Sequence, residues 1–336
     1  MRYVRNSLVV GVLGFLAVFS TGDLARRAAA DPVVVEFETG QDNTLYDYDP
    51  LKFEPEDQDP QHKSWNKSNG RGDFFSAGRT FGKNQIQRGL IRFDFDPALV
   101  PAGMVVESAS LELFVVDSPK RDTTPRDFWL VALPELPQPW GEGGSDVDAG
   151  VSGAGSGADP QAPDATWYHT QYDPASTDHY DPDDLLPNSP WVYDASKPGF
   201  WSQPGALGDN AFVLPGSNEP EGVDVGLKGS TTVWSTSQMA ADVQRWLDDP
   251  AGNFGWVVLG NESVVNYTDP DTGQLVEQSS KRGFASFDHG NDTLRPVLRV
   301  TFDTPSVVVP EPSTLLLALI AAIGLGASVF ARTTHS

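Results

Sequence analysis

Apolar and polar side chains alternate along Leu90–Phe95 (LIRFDF) and Ser110–Val116 (SLELFVV). In the first stretch Ile91 and Phe93 face one side, and Arg92 faces the other. Because successive side chains of a strand point to opposite faces, this period of two predicts strands with one buried face. The pattern favours an antiparallel sheet packed on one side over a helix.

Further strand candidates lie between turns rich in Pro, Gly and Asp: Val33–Phe37, Phe128–Leu133, Gly255–Leu259 and Pro296–Phe302. The 32 Gly, the 27 Pro and the 10% of aromatic residues also suit a turn-rich β protein. The sequence therefore predicts an all-β domain over residues 31–304, built as an antiparallel β-sandwich.

One short helix is expected within this domain. Ser235 and Gln238 have the spacing of a capping box, in which each side chain satisfies a free backbone N–H. An apolar stripe at helical spacing follows, formed by Met239, Val243, Trp246 and Leu247. Pro250 should end the helix, and we expect its stripe to cap an open end of the sandwich.

Two stretches look inserted into the domain. Gly141–Pro163 has no large apolar residue beyond two valines, so we expect it to be a disordered insertion. Tyr172–Pro198 is rich in Asp, Pro and Tyr and is interpreted as a long surface loop.

The first residues, Met1–Ala30, have the composition of a secretion signal. Arg2 and Arg5 precede a short apolar run, Leu8–Phe19 (LVVGVLGFLAVF). Small residues at Ala28–Ala30 then suit a signal peptidase. The run is too short for a comfortable membrane span, so a cleaved signal and export are predicted.

A second apolar segment lies near the C-terminus. Ser313–Phe330 spans 18 residues, which corresponds to about 27 Å of helix and is enough to cross a thin bilayer. Arg332 follows and should keep the short tail inside. Physical chemistry alone therefore predicts a transmembrane anchor with the domain outside.

The residues before that helix carry a more specific pattern, Val309–Thr314 (VPEPST). Together with the helix and the final Arg, it resembles the PEP-CTERM sorting signal of bacterial exopolysaccharide-associated proteins. The resemblance covers residues 309–332 of the tail at residues 305–336 and implies a sorting motif at Pro310, Glu311 and Pro312. It also implies processing by an exosortase-type membrane protease and delivery to the cell surface or extracellular matrix.

The net charge restricts the partners. The chain carries a formal charge of −23, and loss of the four Arg and one Asp of residues 1–30 makes it −26. A strongly acidic protein lacks the basic face that nucleic acids and anionic lipid surfaces require. There is no cysteine, so a hydrophobic core, metal ions or both must stabilise the exported domain.

Catalytic motifs are absent from the sequence: it has no G-x-S-x-G elbow, no H-E-x-x-H and no P-loop. Calcium is the one cofactor suggested, by close carboxylates at Asp47/Asp49, Asp181/Asp183/Asp184 and Asp269/Asp271. Solvated acidic loops explain these pairs better, because Gly273 and Ser280 occupy EF-hand positions that need ligands. The triplet Arg71-Gly72-Asp73 is best explained as a turn.

Several landmarks of the central region occur in a set order: Gln87–Asp94, Val100–Gly103, Val105–Val116, Pro139–Glu142, Ala165–Trp167, Phe200–Ala206, Thr232–Leu247, Asn253–Trp256, Lys281–Ser286 and Arg295–Leu298. This order resembles DNRLRE-type, disaggregatase-related modules, which are classed with carbohydrate-binding modules. The resemblance implies a jelly-roll-like β-sandwich and a binding role.

A glycan site would need basic groups for uronate carboxylates and exposed rings to stack on sugars. The candidates are Arg88, Arg92, Lys281 and Arg282, with Trp65 and Tyr48 as possible stacking platforms. For Arg92 the alternative is a sheet-face residue paired with Asp94 or a neighbouring strand. Five other tryptophans are predicted to lie in the core: Trp140, Trp167, Trp201, Trp246 and Trp256.

The sequence thus predicts an exported polysaccharide-binding module of the cell surface or matrix, without catalytic activity. Two alternatives stay open. The first is a structural matrix protein without a discrete ligand, and the second is a polysaccharide-active enzyme, which would show a convergent cluster of carboxylates, Tyr or His.

Overall fold

The computed structural model describes residues 32–47, 67–81, 85–120, 124–147, 157–173, 175, 199–207, 222–269 and 272–303. The predicted signal peptide and the sorting tail with its apolar helix lie outside these ranges. Within the ranges, no helix combines the length and apolar character that a membrane span requires.

The described residues form thirteen β-strands and one α-helix. In chain order these are β1 (Val33–Phe37), β2 (Gly40–Tyr46), β3 (Phe74–Arg79), β4 (Ile86–Phe93), β5 (Val105–Asp117), β6 (Arg126–Ala132), β7 (Val223–Val225), β8 (Thr231–Trp234), α1 (Ser237–Asp248), β9 (Trp256–Leu259), β10 (Val265–Thr268), β11 (Leu275–Gln278), β12 (Arg282–Ala285) and β13 (Val297–Asp303). The prediction of an all-β fold with one helix is confirmed. Each predicted strand overlaps an observed one, namely β1, β4, β5, β6, β9 and β13.

Eleven of the strands form one antiparallel sheet in the order β1-β13-β5-β12-β3-β4-β9-β6-β7, with β2 added on β4 and β8 on β5. Strand β8 follows β7 after the short turn 226–230 and pairs with β5, where Trp234 lies opposite Leu111. Strand β7 is at one end of the strand order, whereas β5, the partner of β8, is third from the other end. Because β8 directly follows β7, the sheet curls back toward itself. A jelly-roll-like sandwich of two separate sheets stays a prediction.

The main core lies inside the curl. It contains apolar side chains from most strands of the sheet, such as Ile91 of β4, Leu113 of β5 and Phe284 of β12, none of which is exposed. Helix α1 packs on β5 and adds Met239, Val243 and Trp246 to this core, with Leu247 partly buried against it. The predicted apolar stripe is confirmed.

A second core covers the other face of the central strands. In β4, Leu90 belongs to this second core while its neighbour Ile91 belongs to the first, as strand alternation requires. The cover is irregular backbone rather than another sheet, formed by residues 133–147, 157–173 and 199–207, which we call the loop layer.

Buried tryptophans fasten the loop layer to the sheet. The indole N–H of Trp140 donates to the backbone oxygen of Phe254 (2.8 Å), and that of Trp201 donates to Thr166 within the layer (2.8 Å). A buried indole stabilises the fold best when its N–H has such a partner. All five tryptophans predicted for the core are at most 3% exposed, so this prediction is confirmed.

The ends of the predicted disordered insertion belong to this layer. Gly141 N–H donates to Thr170 O (2.9 Å), and Ala165 N–H donates to Gly141 O (2.7 Å). The prediction was wrong for residues 141–147 and 157–163, because backbone hydrogen bonds order them without large apolar side chains.

The helix begins one residue later than a capping box at Ser235 would place it. Thr236 is the N-cap, and its Oγ1 accepts from Met239 N–H (3.2 Å). Ser235 Oγ instead donates to Ala109 O of β5 (3.2 Å), and Gln238 donates to Asp242 (3.1 Å). The predicted capping box was therefore wrong, although the helix stops before Pro250 as expected.

Candidate functional site

Two of the predicted ligand-binding arginines lie in the interior. Arg88 is 1% exposed and Arg282 is 0% exposed. Arg88 forms a two-pronged ion pair with Glu262, and Arg282 donates to backbone oxygens that include Gly226 O and Thr124 O. The prediction that they contact a glycan does not fit this burial, because both guanidiniums bind protein groups away from solvent.

Lys281 also binds groups of the protein itself. Its Nζ lies 2.7 Å from Asp117 Oδ2 of β5 and 5.7 Å from the centroid of the Phe74 ring. Trp65, Tyr48 and the sorting motif at Pro310, Glu311 and Pro312 fall outside the described residues. Arg92 is therefore the described candidate that remains for a surface site.

Arg92 is half-buried where β4 pairs with β2. The antiparallel register places it opposite Gln41, whose Oε1 accepts from Arg92 Nη2 (2.5 Å). The guanidinium carbon lies 5.8 Å from the centroid of the Trp140 ring, which is a cation–π distance. Burial lowers the pKa of Arg92, while the charges of Asp94 and Glu142 oppose that shift.

Charged and polar side chains group around Arg92 and the neighbouring Glu142, and we call this group the Glu142 site. Its members come from β2, from the turn before β3, from β4, from the loop layer and from the segment after β12. They are Gln41, Asp42, Arg71, Arg92, Glu142 and Asp288.

Asp42 is the buried carboxyl of the site, at 1% exposure. Its Oδ2 accepts from Phe287 N–H (2.7 Å), whereas its Oδ1 has no hydrogen-bond partner among the described residues. Burial raises the pKa of Asp42 well above its ordinary value, and the charges of Glu142 and Asp288 add to this, against the Phe287 hydrogen bond. An unpaired buried oxygen is costly when charged, so the neutral acid is favoured here.

Glu142 holds the loop layer to the free edge of β2. Its Oε1 accepts from Asp42 N–H (3.2 Å), and its backbone oxygen accepts from Asn43 Nδ2 (3.3 Å). Gly70 allows this approach, since a Cβ there would overlap the backbone oxygen of Glu142. The contact fixes the half-buried Glu142 carboxyl beside Asp42.

Competing effects set the proton affinity of Glu142. Burial raises its pKa from 4.5 to about 7, opposed first by the Asp42 N–H bond. The charge of Asp288 raises this pKa further, and the charges of Arg71 and Arg92 lower it. Glu142 therefore changes charge near neutral pH, where an ordinary glutamate would stay ionised.

The two guanidiniums of the site have no carboxylate partner at ion-pair distance among the described residues. Arg71 is exposed, and its backbone N–H donates to Ser145 O of the loop layer (2.7 Å). By contrast, Arg88, Arg245, Arg295 and Arg299 each form an ion pair. Unpaired guanidiniums beside a carboxyl of raised pKa can bind hydroxyls, amides or carboxylates of a ligand.

The described residues contain no cluster of three or more acidic, His or Cys side chains that could hold a metal. Of the carboxylates suggested for calcium, Asp47 and Asp269 are described, and the others lie outside the described ranges. The calcium prediction thus gains no site from the described part of the chain.

Most of the Glu142 site could not be recognised in the sequence. Glu142 lies within the landmark Pro139–Glu142, and Arg71 lies in the triplet that was correctly interpreted as a turn. Asp42 could not be recognised, since nothing in the local sequence shows that its carboxyl is buried.

Comparison of the chain with known proteins assigns it to no family. No family model matches the sequence, and no curated protein matches it significantly.

Replacing Glu142 with Gln should remove part of the pH dependence of stability. The folded-state pKa is raised, so the folded protein holds more protons than the unfolded chain between about pH 4.5 and about pH 7. Stability contributed by Glu142 therefore falls as the pH rises through this window. We expect E142Q to melt a few degrees higher than the wild type at about pH 8 and equally at about pH 4.

Melting temperatures of the two full-length proteins across this range would test the assignment. Glu36→Gln serves as the matched control, since Glu36 lies on β1, pairs with Arg299 and is outside the Glu142 site. If the difference in melting temperature between the wild type and E142Q were the same at every pH, the assignment of the pH dependence to Glu142 would be contradicted.

Proposed function

We propose that this chain is an exported protein of the cell surface or extracellular matrix whose folded unit is a non-catalytic polysaccharide-binding module. In this proposal a signal peptidase removes residues 1–30. The tail holds the protein at the inner membrane until an exosortase-type protease cuts near Pro310–Pro312. The domain would be a jelly-roll-like sandwich, with polysaccharide and not nucleic acid as its partner.

One observation supports the binding role above the others. Arg92, half-buried on the Trp140 ring, presents a guanidinium without a carboxylate partner among the described residues, beside Gln41, Glu142 and Arg71. Guanidinium, amide and carboxyl groups are planar and can each form paired hydrogen bonds with sugar hydroxyls or carboxylates. The stacking holds the guanidinium in place, so little side-chain entropy is lost on binding.

Cleavage of a polysaccharide fits the same site less well. Asp42 and Glu142 are convergent carboxyls with raised pKa values, as an acid–base pair would require. A catalytic pair must reach the substrate, however, and Asp42 is 1% exposed and bonded to Phe287 N–H. The site therefore supports binding better than catalysis.

A glycan array probed with the full-length protein in mild detergent would test the proposal, with calcium and with a chelator in parallel. We expect saturable binding to one polysaccharide class, weakened about 10-fold to 100-fold by Arg92→Met, because a charge-assisted hydrogen bond is lost. Arg299→Met is the matched control, since Arg299 lies on β13 and pairs with Glu36 and Glu112.

Absence of binding under both conditions would contradict the proposal and favour a structural matrix protein. An equal loss of polysaccharide affinity in R92M and R299M would mean that the Glu142 site is not the binding surface. Release of sugars from a bound glycan would instead support an enzyme.

A further inference from the structure

Three neighbouring strands, β1, β13 and β5, have ends that meet on one side of the sheet, which we call the terminal end. The register places Val33, the first residue of β1, opposite Phe302 of β13. It places Val105, the first residue of β5, opposite Asp303, the last residue of β13. The chain therefore leaves the last strand of the fold beside the first residues of β1 and β5.

Exposed apolar side chains lie together at the terminal end. Val34 of β1 is 59% exposed, Leu99 in the turn after β4 is 50% exposed, and Val105 is 41% exposed. Val33 is also exposed, next to Val34. Leu99 stays close to β5, because two hydrogen-bonded turns lead from it into that strand. Single exposed apolar residues are normal on a protein surface, but a group of them at one end indicates an interaction surface.

Carboxylates of the same end restrict the partner. Asp96 and Glu107 are exposed, and Asp303 is half-buried at the end of β13. Negative side chains repel anionic lipid headgroups, whereas a zwitterionic headgroup carries no net charge. The terminal end therefore suits a zwitterionic phospholipid surface better than an anionic one.

The length of chain beyond β13 indicates what covers this end. In the proposed function the apolar residues 313–330 hold the protein in the membrane. Ser313 follows Asp303 by ten residues, which span at most about 35 Å when fully extended. A tether this short raises the effective concentration of the terminal end at the bilayer to about the millimolar range, so a weak contact suffices.

We propose that the terminal end lies on the bilayer surface while the tail is in the membrane, and that Val33, Val34, Leu99 and Val105 contact zwitterionic phospholipid there. This inference rests on the anchoring step of the proposed function and adds to it a surface of the folded domain and its partner. The contact removes apolar side chains from water at the headgroup boundary. It also orients the domain, with the far end of β5 directed away from the bilayer.

The far end of the sheet supplies internal controls. Gly283 of β12 lies opposite Asp117, the last residue of β5, and β3 pairs antiparallel with β12. Strand β3 therefore ends near the far end of β5. Phe81 follows β3, and the β10–β11 hairpin with Leu275 directly precedes β12. Both side chains are exposed, so they compare well with the apolar group of the terminal end.

Fluorescence quenching in nanodiscs would test the contact. The chain has no cysteine, so the full-length variants V34C, L99C, F81C and L275C can each carry a single fluorophore. The nanodiscs contain phosphatidylcholine, part of it with a nitroxide on the headgroup. We expect several-fold stronger quenching at positions 34 and 99 than at positions 81 and 275. Anionic phosphatidylglycerol in the nanodiscs should weaken the quenching at positions 34 and 99.

A charged double variant separates the contact from the tether. V34D/V105D in the L99C protein should lose most of the quenching at position 99, because a carboxylate resists removal from water. L275D is the matched control and should leave this quenching unchanged. The replaced side chains are exposed, so the melting temperatures should stay close to that of the parent protein. Quenching at position 99 that persists in V34D/V105D, or equal quenching at both ends of the sheet, would overturn the proposal.

The remaining outcomes separate this inference from the proposed function. Insertion into nanodiscs without quenching at any labelled position would overturn the lipid contact alone and leave the anchoring and polysaccharide binding intact. A full-length protein that stays outside the nanodiscs would overturn the anchoring step and, with it, this inference. The glycan array tests the binding role independently of both.

Discussion

Replacing Glu262 with Gln is expected to lower the free energy of unfolding by about 3–5 kcal/mol. Arg88 Nε lies 2.7 Å from Glu262 Oε1, and Arg88 Nη2 lies 3.0 Å from Oε2, so one carboxylate binds the guanidinium at two points. The side chains are 1% and 7% exposed. Removing the negative charge takes a two-point carboxylate contact from a buried guanidinium, and the desolvation of that cation makes the loss costly.

The same guanidinium joins the sheet to the loop layer. Arg88 belongs to β4, its Nη1 donates to Gly205 O (2.8 Å), and its charge lies 4.8 Å from the Trp167 ring centroid. We therefore expect E262Q to loosen the loop layer before the main core, because the carboxylate that fixes the Arg88 guanidinium against this layer is lost. Equilibrium urea unfolding would give the loss in stability, and hydrogen exchange would locate it.

Glu36→Gln is the matched control, since it removes a carboxylate from the pair with Arg299, whose side chain is 39% exposed. Such a surface pair should contribute about 1 kcal/mol or less. The double variant Arg88→Met/Glu262→Leu should cost less than E262Q, because it removes the buried cation together with its Glu262 partner. Equal effects of E262Q and E36Q would contradict the interpretation.

The sequence predicted those parts of the fold in which side chains alternate. Strands β5 and β13 bury every second residue along most of their length, and their patterns are visible without a structure. Strand β2 (GQDNTLY) lacks such a pattern, because its buried side chains include polar ones held by hydrogen bonds. Asn43, for instance, donates to Glu142 O and Ala165 O. Those partners lie far along the chain, so no local rule reveals them.

Of the residues in the candidate site, sequence reasoning named Arg92 and missed the others. Arg92 was a candidate because a glycan site needs basic groups. The register of β2 on β4 places Gln41 opposite Arg92 and brings Asp42 near it. The loop layer places Glu142 beside β2, where it bonds residues that precede it by 99 and 100 positions. Arg88 and Arg282 were candidates for the same reason, yet their guanidiniums bind groups inside the protein. Sequence pattern locates a cation but does not say which side of the sheet is solvent.

Replacing Arg282 with Met should lower the free energy of unfolding by about 3 kcal/mol. The fully buried guanidinium donates to Gly226 O (2.7 Å) in the turn between β7 and β8, and to Thr124 O (2.9 Å) just before β6. Met fills a similar volume but donates no hydrogen bond. The variant therefore loses charge-assisted hydrogen bonds, each of which contributes more to stability than a neutral one.

The location of these bonds makes the loss specific. Arg282 belongs to β12, so it ties the middle of the curled sheet to the turns at its β6–β7 end. Hydrogen exchange in R282M should therefore increase first in β7, β8 and the turn 226–230, and urea unfolding should shift to lower concentration. Arg299→Met is the matched control, with a side chain 39% exposed that pairs with the exposed Glu36 and Glu112, and with an expected cost of about 1 kcal/mol or less. Equal costs in R282M and R299M, or exchange that increases only in β1 and β13, would contradict a role for Arg282 in closing the curl.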